Sequence, residues 1–308
     1  MTTITDKPDT AGRVVVGFDG SAGAVRAVLH AAREAQDRQL GLTVVMALAH
    51  LDPTWPRVAR AVKADPGYLD AVRAKAGDQL TDMGRQVRAE HPDLDVQLAV
   101  LGQNPAGALI QASRDAALVV VGARGRTPEH RQPVLGGVST QVIAHSLCSV
   151  VVVPEVAVDL SSGPVVVGLQ DAPDSLAAGA VAVAEAERTG RPLLAMYAWD
   201  VAPELGDMGA LARLDPIKTQ QDLNEMLVEL LEPLLEGHPG VAVQRRVVQG
   251  SARAALVEAS RNASLIVIGT RGLGGFAGML LGSISRSVTR EAVCPVMVVR
   301  QRDGKPTV

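Results

Sequence analysis

Short runs of Val, Ile and Leu without polar alternation punctuate the chain: Val14–Val16, Leu42–Leu48, Val96–Val100, Leu118–Val121 and Val150–Val153 in its first half. Such runs suit strands buried on both faces. Between them stand longer stretches with apolar residues at helical spacing, such as Ala22–Gln36 and Ala106–Arg114. Strands alternating with helices predict parallel strands joined by right-handed crossovers, an α/β fold with a doubly wound sheet and helices on both faces. Pro and Gly interrupt the rhythm after the second strand of each half, at Pro53–Gly67 and Pro203–Pro216, where variable loops or a broken helix are expected.

The pattern occurs twice. Ala108–Gly125 and Ala255–Gly272 are identical at 11 of 18 positions, Val14–Gly17 is echoed by Val165–Gly168, and Leu147–Val153 by Val293–Val299. The chain is therefore a tandem duplication. Residues 13–153 and 164–300 form the two α/β domains, each mostly five-stranded. Residues 154–163 read as a linker, and 1–12 and 301–308 as flexible tails.

Composition narrows the function. The 308 residues carry a formal charge of −3, and only 2% are aromatic. Neither a basic field nor stacking platforms for bases are on offer, which argues against nucleic acid as the partner. The polar start and the lack of long apolar runs predict no signal peptide and no membrane span, hence a cytoplasmic protein. Cys148 and Cys294 occupy equivalent repeat positions and read as small core residues. The six histidines show no metal-ligand spacing and pair with no repeated nucleophile, so no metal and no catalytic residue is assigned.

The glycines carry the chemical information. Val121-Gly122 and Ile268-Gly269 end the fourth strand of each copy, and in an open parallel sheet ligands bind beyond the strand C-termini where the order reverses. In copy two, Gly269-Thr270-Arg271-Gly272 is followed by nine residues and then Gly282-Ser283-Ile284-Ser285. Glycine lets backbone N–H groups converge on an anion, and the helix opening at Ser283 adds its positive dipole end. Ser283 and Ser285 read as hydroxyl donors.

The spacing Gly-x2-Gly-x9-Gly-Ser, with the opening Val14-Val15-Val16-Gly17-Phe18-Asp19-Gly20-Ser21 and the closing Cys294-Pro295-Val296-Met297-Val298-Val299, resembles the ATP-binding class of the universal stress protein family in its tandem form. The resemblance covers nearly the whole chain. It implies an adenine nucleotide, ATP alone or with Mg, lying across the strand ends. The first site would use Gly17, Asp19, the backbone near Ala47, Gly122, Gly125, Gly136, Gly137 and Ser139. The second would use Gly168, Gln170, the backbone near Ala198 with Asp200 close by, Gly269, Gly272, Gly282, Ser283, Ile284 and Ser285. It also places each final strand at a sheet edge, implying internal pairing of the two copies and a homodimer beyond it.

The copies depart from the family pattern in opposite ways. Copy one keeps Asp19-Gly20-Ser21 but has ten residues between Gly125 and Gly136, with Gly137 where Ser is expected. Copy two keeps the phosphate loop but has Gln170-Asp171-Ala172 at the nucleoside end. Either Gln170 takes over as a neutral amide, or Asp171 swings in, or the site is weaker. Arg126, His130 and Arg131 in the first loop either touch phosphate or lie in solvent. With no evident base for phosphoryl transfer, the sequence favours a nucleotide-binding stress-response regulator with little or no fast catalysis. A slow ATPase or phosphotransferase is the alternative.

Overall fold

The structure, a computed structural model, describes residues 4–49, 56–65, 67–125, 135–155, 162–199, 216–270, 281–302 and 305–306. The chain divides into two compact units at Glu155.

In the first unit the order is β1 (Ile4–Thr5), β2 (Val14–Gly17), α1 (Ala22–Asp37), β3 (Leu42–Ala47), α2 (Pro56–Ala64), α3 (Tyr68–Glu90), β4 (Val96–Leu101), α4 (Pro105–Ala112), β5 (Leu118–Gly122), α5 (Gly137–His145) and β6 (Val150–Val153). The strands lie side by side as β1-β4-β3-β2-β5-β6, all parallel. The chain leaves β2 in one direction to build β3 and β4, then returns to the other side of β2 for β5. The strand order therefore reverses between β2 and β5, and their C-terminal ends part to leave a crevice.

The second unit repeats the plan with β7 (Val165–Gly168), α6 (Pro173–Thr189), β8 (Leu193–Trp199), α7 (Pro216–Leu235), β9 (Val243–Gln249), α8 (Ala252–Ala259), β10 (Leu265–Gly269), α9 (Ser283–Glu291) and β11 (Val296–Val299). Its order is β11-β10-β7-β8-β9, again parallel, with the reversal between β7 and β10. The central strands are buried on both faces, as their unbroken apolar runs require. Small residues let the helices approach: α1 buries Ala24, Ala27, Ala31, Ala32 and Ala35 against the sheet. Among the described residues no helix is long and apolar enough to cross a membrane.

The described parts of both tails, read from the sequence as flexible, include short strands. Ile4 and Thr5 pair with Leu98 and Ala99 as a sixth strand, and Asp9 N–H donates to Gln97 Oε1 at 3.2 Å. The physical reason is the edge of β4, whose outward N–H and C=O groups would otherwise lack strand partners. Arg13 anchors the stretch that follows: its guanidinium reaches Thr43, Asp95 and the Leu42 carbonyl. At the other end, β12 (Gln301–Arg302) and β13 (Lys305–Pro306) pair antiparallel. The first insert is a broken helix, α2 and then α3, while most of the second lies outside the described residues.

Candidate nucleotide clefts

In the first unit β2 ends at Gly17, where a Cβ would lie 2.8 Å from the Leu109 side chain, so glycine admits α4 closely. The chain then turns through Asp19 and Gly20, whose φ of +81° favours glycine. Asp19 Oδ1 accepts the Ser21 N–H at 2.9 Å, and Ser21 Oγ caps α1 by accepting from Ala24 N–H at 3.1 Å. The other carboxylate oxygen, Oδ2, lies 2.5 Å from where a Cβ on Gly125 would sit. Asp19 and Gly125, far apart in sequence, meet only because β2 and β5 are neighbours.

Across the crevice Gly136 is the N-cap of α5. Its N–H donates to Ala123 O at 2.8 Å, and the Ser139 hydroxyl donates to Gly122 O at 2.7 Å. The second unit repeats this: Gly282 N–H to Thr270 O at 2.7 Å, and Ser285 hydroxyl to Gly269 O at 2.7 Å. These four bonds close each glycine loop onto its strand end. The reading of Ser285 as a phosphate donor changes accordingly, because a hydroxyl has one proton and Gly269 takes it. Ser139 is committed in the same way, whereas Ser283 is exposed at the first position of α9. Gly136 and Gly282, as N-cap residues, supply no side-chain cap. The start of each helix lines its crevice, Gly136–Ser139 in the first and Ile284–Ser285 in the second, with the helix dipole behind it.

At the opposite end, the β2–β3 ladder stops with Phe18 N–H donating to Val45 O at 2.8 Å. Leu48 N–H bonds to Leu101 O, so the odd-numbered residues of β3 turn their backbone groups toward β2. Ala47 is the next odd residue beyond the last rung, and its N–H and C=O are left facing the crevice. Ala198 stands in the same relation beyond the bond from Leu169 N–H to Met196 O.

The two clefts differ in chemistry. The first encloses about 910 Å³ of empty space, counting what is open to solvent, and Asp19, Ala47, Gly122, Arg124, Gly136 and Ser139 line it. The second encloses about 590 Å³ and is lined by Gly168, Gln170, Ala198, Gly269, Ile284 and Ser285 among others. Gln170 keeps the place of Asp19, its backbone N–H tied to Ser175 Oγ at 2.8 Å, while Asp171 is exposed and outside the described lining. Ser175 and the bond from Thr270 hydroxyl to Asp174 Oδ2 at 2.6 Å replace the glycine-rich turn of copy one. Asp200, Gly272, Arg126, His130 and Arg131 lie outside the described residues.

Comparison with known proteins settles the lineage. The universal stress protein family model matches residues 10–154 and again 162–300. The chain belongs to that family. Universal stress proteins of Mycobacterium tuberculosis are 34% identical over 298 residues, covering 94% of this chain and 96% of theirs, and one from Mycolicibacterium smegmatis is 35% identical over 294 residues, covering 94% and 97%. The crystal structure of a universal stress protein from Archaeoglobus fulgidus superposes with a TM-score of 0.62 at 19% identity, covering 96% and 99% of the two chains, a likeness of fold.

Two features of this universal stress protein escape the sequence reading. Val138 occupies the second position of α5, remains 37% exposed and lines the first cleft, as Ile284, already named from the sequence, does at 36% in the second. Arg124 also lines the first cleft, with Nη1 3.1 Å from Glu155 Oε2. The signal for both was the repeat itself, since aligning the copies puts Val138 on Ile284 and Arg124 on Arg271. Beyond the cleft, burial pushes the Cys294 thiol up to about 12, consistent with a packing residue.

Proposed function

We propose that this universal stress protein binds an adenine nucleotide, ATP with or without Mg, in each unit and acts as a nucleotide-responsive regulator with little or no fast catalysis. One observation carries the reading: a strand-end glycine and a helix N-terminus without a side-chain cap converge on the same crevice, twice, with the same hydrogen bonds. That arrangement suits phosphate, which accepts from backbone N–H groups and gains from the dipole. The backbone groups of Ala47 and Ala198 suit the other end of the ligand, because an adenine edge needs one donor and one acceptor side by side. Mg would ride on the phosphate oxygens, retaining waters, as a hard cation does.

Native mass spectrometry of the purified chain is expected to show bound adenine nucleotide, and calorimetric titration with ATP to show saturable binding. Absence of both would overturn the proposal. Phosphate release at the uncatalysed rate is expected in a steady-state assay, and steady turnover would move the reading to the ATPase alternative. Light scattering of the full chain tests the homodimer.

A further inference from the structure

We infer that Glu155 sets the affinity of the first cleft for phosphate-bearing ligands by competing with them for Arg124. The inference rests on the nucleotide reading above and names the ligand class within it. β5 and β6 lie side by side with Gly122 opposite Val153, and Ala123 N–H donates to Val153 O at 2.8 Å. The residues just beyond the two strand ends therefore face each other, which brings Arg124 Nη1 to 3.1 Å from Glu155 Oε2. Arg124 is at the same time part of the cleft lining, at the end where Gly125, Gly136 and the start of α5 converge. A guanidinium offers forked donors that fit phosphate as well as carboxylate. A phosphate at the N-terminus of α5 and the Glu155 carboxylate thus claim the same cation.

The side chains are 25% and 55% exposed, so the pair sits at the rim where water and ligand reach it. Such pairs are weak, and exchange of one acceptor for another costs little. Even when displaced, however, Glu155 stays near and repels an incoming anion, more strongly as the ligand carries more charge.

The second unit has no carboxylate at the position of Glu155. Its counterpart of Glu155, two residues beyond β11, is Gln301, and that amide donates to Pro173 O at 2.9 Å. Asp19, which lines the first cleft, and Glu155, which pairs with the lining residue Arg124, thus both have glutamine counterparts in the second copy. Near the second cleft Asp174 accepts the Thr270 hydroxyl at 2.6 Å, and Asp171 is exposed. The first cleft accordingly takes adenine ligands of low charge, nucleosides and monophosphates, more readily than triphosphates.

Calorimetric titration of the full chain with adenosine, AMP and ATP tests this in wild type, Glu155→Gln, Arg124→Gln and the double variant. Glu155→Gln is expected to raise ATP affinity at one class of sites by about two- to five-fold, the range of an exposed ion pair, and to leave adenosine unchanged. The gain should shrink when Arg124 is also replaced, to what direct repulsion alone supplies. An unchanged ATP affinity in Glu155→Gln, or a gain just as large without Arg124, overturns the competition while nucleotide binding stands. A chain that binds none of the three ligands overturns the nucleotide reading itself.

Discussion

The Ser285 hydroxyl donates to the Gly269 carbonyl at 2.7 Å in a buried bond that ties the first turn of α9 to the end of β10. Replacing it with alanine leaves a buried carbonyl without its partner, a loss of about 1–3 kcal/mol. Ser285→Ala is therefore expected to lower the urea midpoint of the second unit and to weaken nucleotide binding there through loss of loop closure. Denaturation and calorimetry with unchanged stability would show that the bond holds nothing.

Gly125→Ala tests the contact with Asp19. The added methyl would sit 2.5 Å from the carboxylate oxygen, so the carboxylate must move. Because no positive φ is involved, the effect comes from that displacement alone. The expected outcome is weaker nucleotide binding at one class of sites with little change in unfolding midpoint. Equal affinity for wild type and variant would remove Asp19 from the ligand's surroundings.

The two clefts should fail to different substitutions. Loss of a hydrogen bond involving a charged group costs about 1.5–3 kcal/mol, so Asp19→Ala is expected to weaken one class of sites roughly 10- to 150-fold. Ser283→Ala should weaken the other class, since the first copy has Gly137 at that place and no hydroxyl to lose. Two classes that respond alike to both changes would refute the asymmetry.

Cys294 makes stability depend on alkaline pH. Its thiol is raised from 9.0 to about 12, chiefly by burial, so the folded state keeps the proton that the unfolded chain gives up. Its contribution is fully present below pH 9 and is lost as pH rises from there toward 12. Urea unfolding at pH 8, 10 and 11 should show a steeper decline in wild type than in Cys294→Ala. Parallel declines would mean that the thiol titrates normally.

How far the sequence could be read follows from how each feature is encoded. Val14–Val16 and Leu118–Val121 announce themselves because a strand buried on both faces needs an unbroken apolar run, and Gly122 and Gly269 stand out because the duplication repeats them. The strand at Ile4–Thr5 is two residues long and owes its form to the edge of β4, a partner that only folding supplies. Ser285 was legible as a conspicuous hydroxyl but not as a committed one, because the carbonyl it binds is 16 residues away. The pairing of Arg124 with Glu155 depends on the lateral registry of β5 and β6, which no local pattern records.

The duplicated segment begins near Val14, yet the first copy's outer edge is finished by residues that precede it. The unit that was copied and the unit that folds are therefore not the same stretch of chain. A fragment cut at the repeat boundary would keep every cleft residue of the first copy and lose the strand that covers β4. For anyone dissecting this protein into halves, residues 4–12 belong with the first half.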